Sequence, residues 1–227
     1  MGNRINKYFR SGDKIKLSEQ TIFGNINVIQ QEDISENVDL NLILRKLQQI
    51  IPEHFVQNLD GIYIGTYDFL LNRDLNALYK DGVIYMLAQQ DDSEDALDDI
   101  VHEIAHCVEE TYGAEIYEDT SIEEEFLHKR KRLFDILSAH GYTKGLSKSM
   151  FMNPEYDEIF DQFLYVVVGY PTLTQLVPDL FVSPYAATSL REYFANGFEH
   201  FFAKREHKRV KLISSCIYDK IELLLGQ

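Results

Sequence analysis

Apolar and polar positions alternate or recur in a way that divides the chain into a strand-forming first part and a helical remainder. Residues 21–29 (TIFGNINVI), 61–67 (GIYIGTY) and 83–88 (VIYMLA) are rich in β-branched and aromatic residues and predict strands. Asp81-Gly82 marks a turn just before the third of these. The stretch 71–80 fits neither period. Val38, Leu42, Leu44, Leu47 and Ile51 recur at helical spacing, and Pro52 ends that helix. The clearest helix covers residues 93–111. Asp92 or Ser93 can cap it, and Ala96, Leu97, Ile100, Val101, Ile104, Ala105 and Val108 form its apolar stripe.

Residues 122–137 predict a charged amphipathic helix. Residues 139–155 carry Gly141, Gly145 and Pro154 and read as loop, 156–168 as helix, and 173–181 as irregular apolar chain. A final helical region runs over 189–225 with a break near 204–208. Residues 1–17 are polar and basic and read as a loose arm, leaving 18–227 as one domain: sheet plus main helix over 18–111, a helical part over 112–227. No repeat or low-complexity linker interrupts it. Strands followed by helices give an α+β expectation, with a small mixed sheet packed on the 93–111 helix.

Composition narrows the partners. An apolar fraction of 45% over 227 residues can fill one core, and 12% aromatic residues argue against disorder. A net charge of −15 argues against a nucleic-acid partner. Cys107 and Cys216 make no disulfide framework, and Cys107 reads as a small buried apolar residue. No run approaches the roughly 20 apolar residues of a membrane span. The first residues have no apolar signal core, and a myristoylation reading of Gly2 fails at Asn6. A cytoplasmic location is the expectation.

The chemistry concentrates in 102–106, His-Glu-Ile-Ala-His, within the 93–111 helix. Histidines at i and i+4 lie one above the other on a helix face and can share a metal ion. A Glu directly after the first can take a proton from a water on that ion. Seven histidines in 227 residues make a chance HExxH an event on the order of one chain in a hundred. His102, His106 and Glu109 fall off the apolar stripe, so the pair is not explained as core histidines. Asp99 is a candidate to orient a ligand, although a solvated helix charge is its simpler reading.

A catalytic zinc takes three protein ligands and keeps a position for water. No third His follows at metzincin spacing, since 107–112 reads Cys-Val-Glu-Glu-Thr-Tyr. Glu109 and Glu110 extend the histidine row along one helix and do not close a tetrahedron. Glu123, Glu124 and Glu125 lie 17 to 19 residues past His106, but Ser121-x-x-Glu124 is also a capping box. Glu192 lies 86 residues past His106, and Ser189-x-x-Glu192 is a capping box too. Spacing leaves these open.

Residues 185–198, YAATSLREYFANGF, resemble the third-ligand helix of the anthrax lethal factor-like metallopeptidases, a group that includes the clostridial Pro-Pro endopeptidases. The 121–126 segment, SIEEEF, resembles the region after that family's HExxH, and the likeness covers roughly residues 62–202. It implies a zincin-like fold and a gluzincin site. His102, His106 and Glu192 would bind one Zn²⁺, Glu103 would act as general base, and Tyr185 would reach the active site. It also implies a zinc metalloendopeptidase acting on protein or peptide substrates; such modules occur in phage-encoded and mobile-element proteins as well. Asn196-Gly197 departs from the family's usual Glu-Ala, and the span between His106 and Glu192 is longer by about one helix. The competing readings are an inactive zincin scaffold used for interaction, and a zinc hydrolase with a non-peptide substrate. In either hydrolase the 83–88 strand is expected at the sheet edge beside the cleft, and His200 and His207 at the surface.

Overall fold

The computed structural model describes residues 18–226; the basic arm expected over 1–17 lies outside them. Five strands form one mixed sheet in the order β1-β2-β3-β5-β4. They are β1 (Ser18–Ile22), β2 (Ile26–Gln30), β3 (Gly61–Gly65), β4 (Ala77–Lys80) and β5 (Val83–Leu87). The central pairs β2–β3 and β3–β5 are parallel, and both edges are antiparallel hairpins. Alternation sorts the faces. Val28, Ile62, Ile64, Ile84 and Met86 are buried on one side, and Tyr63 stacks on Tyr85 at 5.9 Å on the other.

Two expectations are corrected in the sheet. Residues 21–29 are a hairpin, not one strand: Phe23 and Gly24 take positive φ (48° and 77°), so the chain reverses there and Ile22 pairs with Ile26. The edge beside the main helix is β4, not the strand starting at Val83, which is internal. Four residues with no clean alternation hid β4 from the sequence.

Ten α-helices accompany the sheet among the described residues, the second of them the single turn α2 (Asp68–Leu71). Those that place the site are α1 (Leu40–Ile50), α3 (Ser93–Tyr117), α4 (Ser121–Ala139) and α8 (Leu190–Phe202), and α3 is the one that packs on β4 and β5. Asp92 caps α3 by accepting from the Glu94 and Asp95 amides at 2.7 and 3.0 Å. The whole predicted stripe of α3, Ala96 through Val108, is buried, as are Cys107, Tyr193 and Phe194. The helix runs past Thr111 to Tyr117 with a kink at Tyr112 (φ −116°, ψ 23°). The 122–137 prediction matches α4. The loop expected over 139–155 contains α5 (Lys148–Phe151). The 156–168 helix is split into α6 (Glu158–Gln162) and a π-helical turn Phe163–Val168, and α7 (Tyr170–Leu176) replaces irregular chain. The break near 204–208 is real: α9 (His207–Ile213) and α10 (Ser215–Leu225) follow α8. His207 is exposed and stacks on Phe201, but His200 is buried, with Glu206 at 2.8 Å from its Nδ1.

Candidate metal centre

Helix α3 presents His102 and His106 one turn apart, with ring centroids separated by 5.2 Å. Helix α8 packs across α3 and brings Glu192 between them, although the sequence separates Glu192 and His102 by 90 residues. Ser189 fixes that approach. Its hydroxyl accepts from the Glu192 amide at 3.1 Å, so the capping-box reading and the ligand reading of this segment hold together. Glu192 Oε2 lies 2.9 Å from His102 Nε2, and Oε1 lies 3.7 Å from His106 Nε2. One ligand atom from each of these residues falls within 4.8 Å of the others, and the three could hold a metal ion.

The outer nitrogens of both rings are backed by carboxylates. Glu199 Oε2 lies 3.3 Å from His102 Nδ1, and Glu109 Oε2 lies 2.6 Å from His106 Nδ1. This fits a metal: a ligating imidazole hands its other ring nitrogen to a carboxylate, which fixes tautomer and orientation. Glu199 is in turn 3.0 Å from Lys204, which reaches Asp98 at 3.3 Å. Glu109 is buried, accepts from the Tyr117 hydroxyl, and receives Arg191 Nε at 3.3 Å.

The electrostatics of the metal-free site follow from this crowding. Burial alone would push His102 down, but the Glu192 and Glu199 carboxylates outweigh it and hold the imidazole well above its usual pKa. Burial would raise Glu192 and Glu199; the facing His102, with His106 and Lys204 assisting, draws both below the usual carboxylate range. Tyr185 sits in the short turn Tyr185–Ala187 with its ring 6.3 Å from that of His102. Burial and the nearby Glu192 push its phenol far up, so the hydroxyl remains a donor. Glu103 is buried and its Oε2 accepts from the Tyr79 amide of β4 at 2.5 Å, which ties the HExxH glutamate to the sheet edge.

The other candidates are placed elsewhere. Glu125 accepts from Tyr193 at 2.6 Å and from Ser215 at 2.9 Å, and Glu124 accepts from Thr120 at 3.2 Å. These bonds tie α4 to its neighbours and to its own first turn. Glu110 accepts from the Tyr79 hydroxyl. Asp99 does not take the orienting role, which Glu199 fills, nor is it solvated: its Oδ2 is buried without a partner, and burial pushes its carboxyl up to about 7. Glu199 was missed, although it lies seven residues after Glu192 and so on the same helix face. Tyr79, Tyr117, Arg191 and Lys204 carried no local signal. Gly197 is set by packing, since a Cβ there would meet Ile217 of α10 at 2.7 Å.

A cleft of about 410 Å³ opens beside His106, between β4 and α8, and is lined by Tyr79, Glu110, Tyr117 and Arg191 among others. Among the described residues no helix is long and apolar enough to cross a membrane. No family model matches the chain, and neither does any curated protein or any solved structure.

Proposed function

We propose that the chain is a zinc-dependent metalloendopeptidase of gluzincin type, similar to the lethal factor-like peptidases. One observation carries this reading: two imidazoles a helical turn apart and a carboxylate from a distant helix converge, with the HExxH glutamate beside them. Two nitrogens and one carboxylate oxygen form a donor set suited to zinc and leave a fourth position free. When bound, the ion supplies Lewis acidity that polarises a carbonyl and brings the pKa of a water towards 7.

The chain's own residues supply the rest. Glu103 accepts the proton of the attacking water and returns it to the leaving amine. Tyr185 donates a hydrogen bond to the oxygen on which negative charge develops. Glu109 and Glu199 hold the imidazoles in the ligating orientation. A peptide enters by the cleft beside His106, lined by Tyr79 of β4 and Arg191 of α8.

The test combines zinc stoichiometry with cleavage of a diverse peptide library. Wild type is expected to bind one zinc per chain, and Glu192→Ala to lose it. Glu103→Gln is expected to keep the zinc while kcat falls about 10²–10⁴-fold. Full zinc occupancy in Glu192→Ala would sink the ligand assignment. Zinc binding without cleavage of any peptide would sink the peptidase reading, in favour of an inactive scaffold or a non-peptide hydrolase.

A further inference from the structure

Arg130 lies on α4, away from the histidines, and its side chain is 1% exposed. Every acceptor of its guanidinium is a main-chain carbonyl. Nη1 donates to Ala187 at 2.6 Å and Thr188 at 3.2 Å, Nη2 to Met150 at 2.8 Å, and Nε to Phe151 at 3.1 Å. The Phe160 ring stacks on the plane with its centroid 3.7 Å away. Burial pushes the group down to about 9, with Asp157 acting against that, so it stays charged at neutral pH.

A buried cation is a poor choice for stability alone, because a well-packed apolar side chain of similar volume usually serves as well or better. What the fork supplies is geometry. The carbonyls of Ala187 and Thr188 fall between the end of the Tyr185–Ala187 turn and the start of α8, where no helical or strand partner takes them. On one side the same segment carries Tyr185, whose carbonyl accepts from the Thr188 hydroxyl at 2.8 Å. On the other it carries Ser189, the cap of Glu192. One nitrogen can hold two carbonyls, as Lys129 does with Leu180 and Ile213, but only a planar five-donor fork holds the Ala187 and Thr188 pair and, on its other side, the Met150 and Phe151 pair at once.

We propose that Arg130 is a positioning residue, which through the carbonyls of Ala187 and Thr188 sets both the turn that carries Tyr185 and the cap that presents Glu192. It rests on the peptidase reading for the roles of Tyr185 and Glu192, but not for the geometry. α4 supplies the arginine, while α5 contributes the Met150 and Phe151 carbonyls and α6 the Phe160 ring that enclose it.

The experiment compares wild type with Arg130→Lys in three measurements. In metal-free protein, amide exchange over 187–193 is expected to rise about tenfold while the buried α3 amides over 100–105 keep their protection. Zinc affinity by chelator competition is expected to fall about 10–100-fold, as for loss of a group that orients a ligand. In the zinc-loaded enzyme kcat is expected to fall about tenfold at unchanged KM, and to fall little further when Arg130→Lys is added to Tyr185→Phe. Unchanged exchange and zinc affinity in a folded variant would overturn the proposal. So would exchange raised equally across α3, which would mark a general stabiliser. If Arg130→Lys does not fold, Phe160→Leu removes the ring that stacks on the fork and faces the same expected and overturning results. Should wild type cleave no peptide, the peptidase reading falls, while the exchange and zinc measurements still decide the role of Arg130.

Discussion

His102 and His106 sit one turn apart on α3, yet their outer nitrogens are backed by different parts of the chain. Behind His106 stands Glu109, three residues on in the same helix, at 2.6 Å. Behind His102 stands Glu199 of α8, at 3.3 Å and 97 residues away, and Lys204 closes the path back to Asp98 on α3. Continuity of one helix therefore orients His106, while the docking of two helices orients His102. The site is half local and half tertiary, and it forms only if α8 seats correctly on α3.

The largest expected effect compares the two backing carboxylates directly. Loss of such a partner typically costs 10–100-fold in metal affinity. Glu109→Ala is expected near the upper end, about 100-fold, because its bond is shorter, its carboxylate is buried, and Tyr117 and Arg191 also lose an acceptor. Glu199→Ala is expected near about tenfold. Zinc titration of both variants in the presence of a chelator checks the order; a larger loss in Glu199→Ala would reverse the comparison.

That asymmetry also governed what could be read from the chain. The HExxH pair and the α3 stripe follow from one period over one helix, and no tertiary knowledge is needed to place them. Glu109 was within reach for the same reason. Glu192 could not be separated from Glu123–Glu125 by spacing, because Ser189-x-x-Glu192 and Ser121-x-x-Glu124 are equally good helix starts; the packing of α8 on α3 is what brings Glu192 to the histidines. Glu199 depends on which face of α8 meets α3, a fact absent from any local window. In the sheet, Phe23-Gly24-Asn25 held a turn signal inside an apolar run, and the run obscured it. β4 is too short to show a period, yet it carries the amide that holds Glu103.

A smaller effect separates the two cations behind the carboxylates. Arg191 is 61% exposed in its side chain, and exposed pairs are worth about 0–1 kcal/mol, so Arg191→Met is expected to change zinc affinity less than about threefold. Lys204 is less exposed and lies between two acids, Glu199 and Asp98, and its removal leaves them facing each other. Burial, with the repulsion of Glu199 contributing, already holds Asp98 above the usual carboxylate range despite Lys204. Lys204→Met is expected to weaken zinc about three- to tenfold, with the loss shrinking as Asp98 is also changed to Asn. Equal small losses in both variants would mean that Lys204 matters no more to His102 than a surface charge.

The smallest effect tests whether the His106 side depends on the far end of α3. Beyond the kink at Tyr112 the helix carries Tyr117, which donates to Glu109, and Lys220 of α10 clamps this end by donating to the Glu115 carbonyl at 2.7 Å and to Asp119 at 2.8 Å. Lys220, with Ser121, holds the Asp119 carboxyl down at about 2. A carboxyl depressed in the folded state adds stability above its unfolded pKa near 4, and that stability is lost as pH falls towards about 2. Thermal unfolding of metal-free wild type and Asp119→Asn is therefore expected to differ slightly above about pH 4 and to converge near pH 2. Asp119 is exposed, so the gap is small, and its location is more telling than its size. At neutral pH the variant is expected to show amide exchange raised about twofold over 113–118 and unchanged over 98–102. Zinc affinity should stay within about twofold of wild type, because Lys220 keeps the Glu115 carbonyl and Glu109 keeps His106. If exchange rose equally around His102, the two halves of the site would be one cooperative unit, and the division between local and tertiary support would fail.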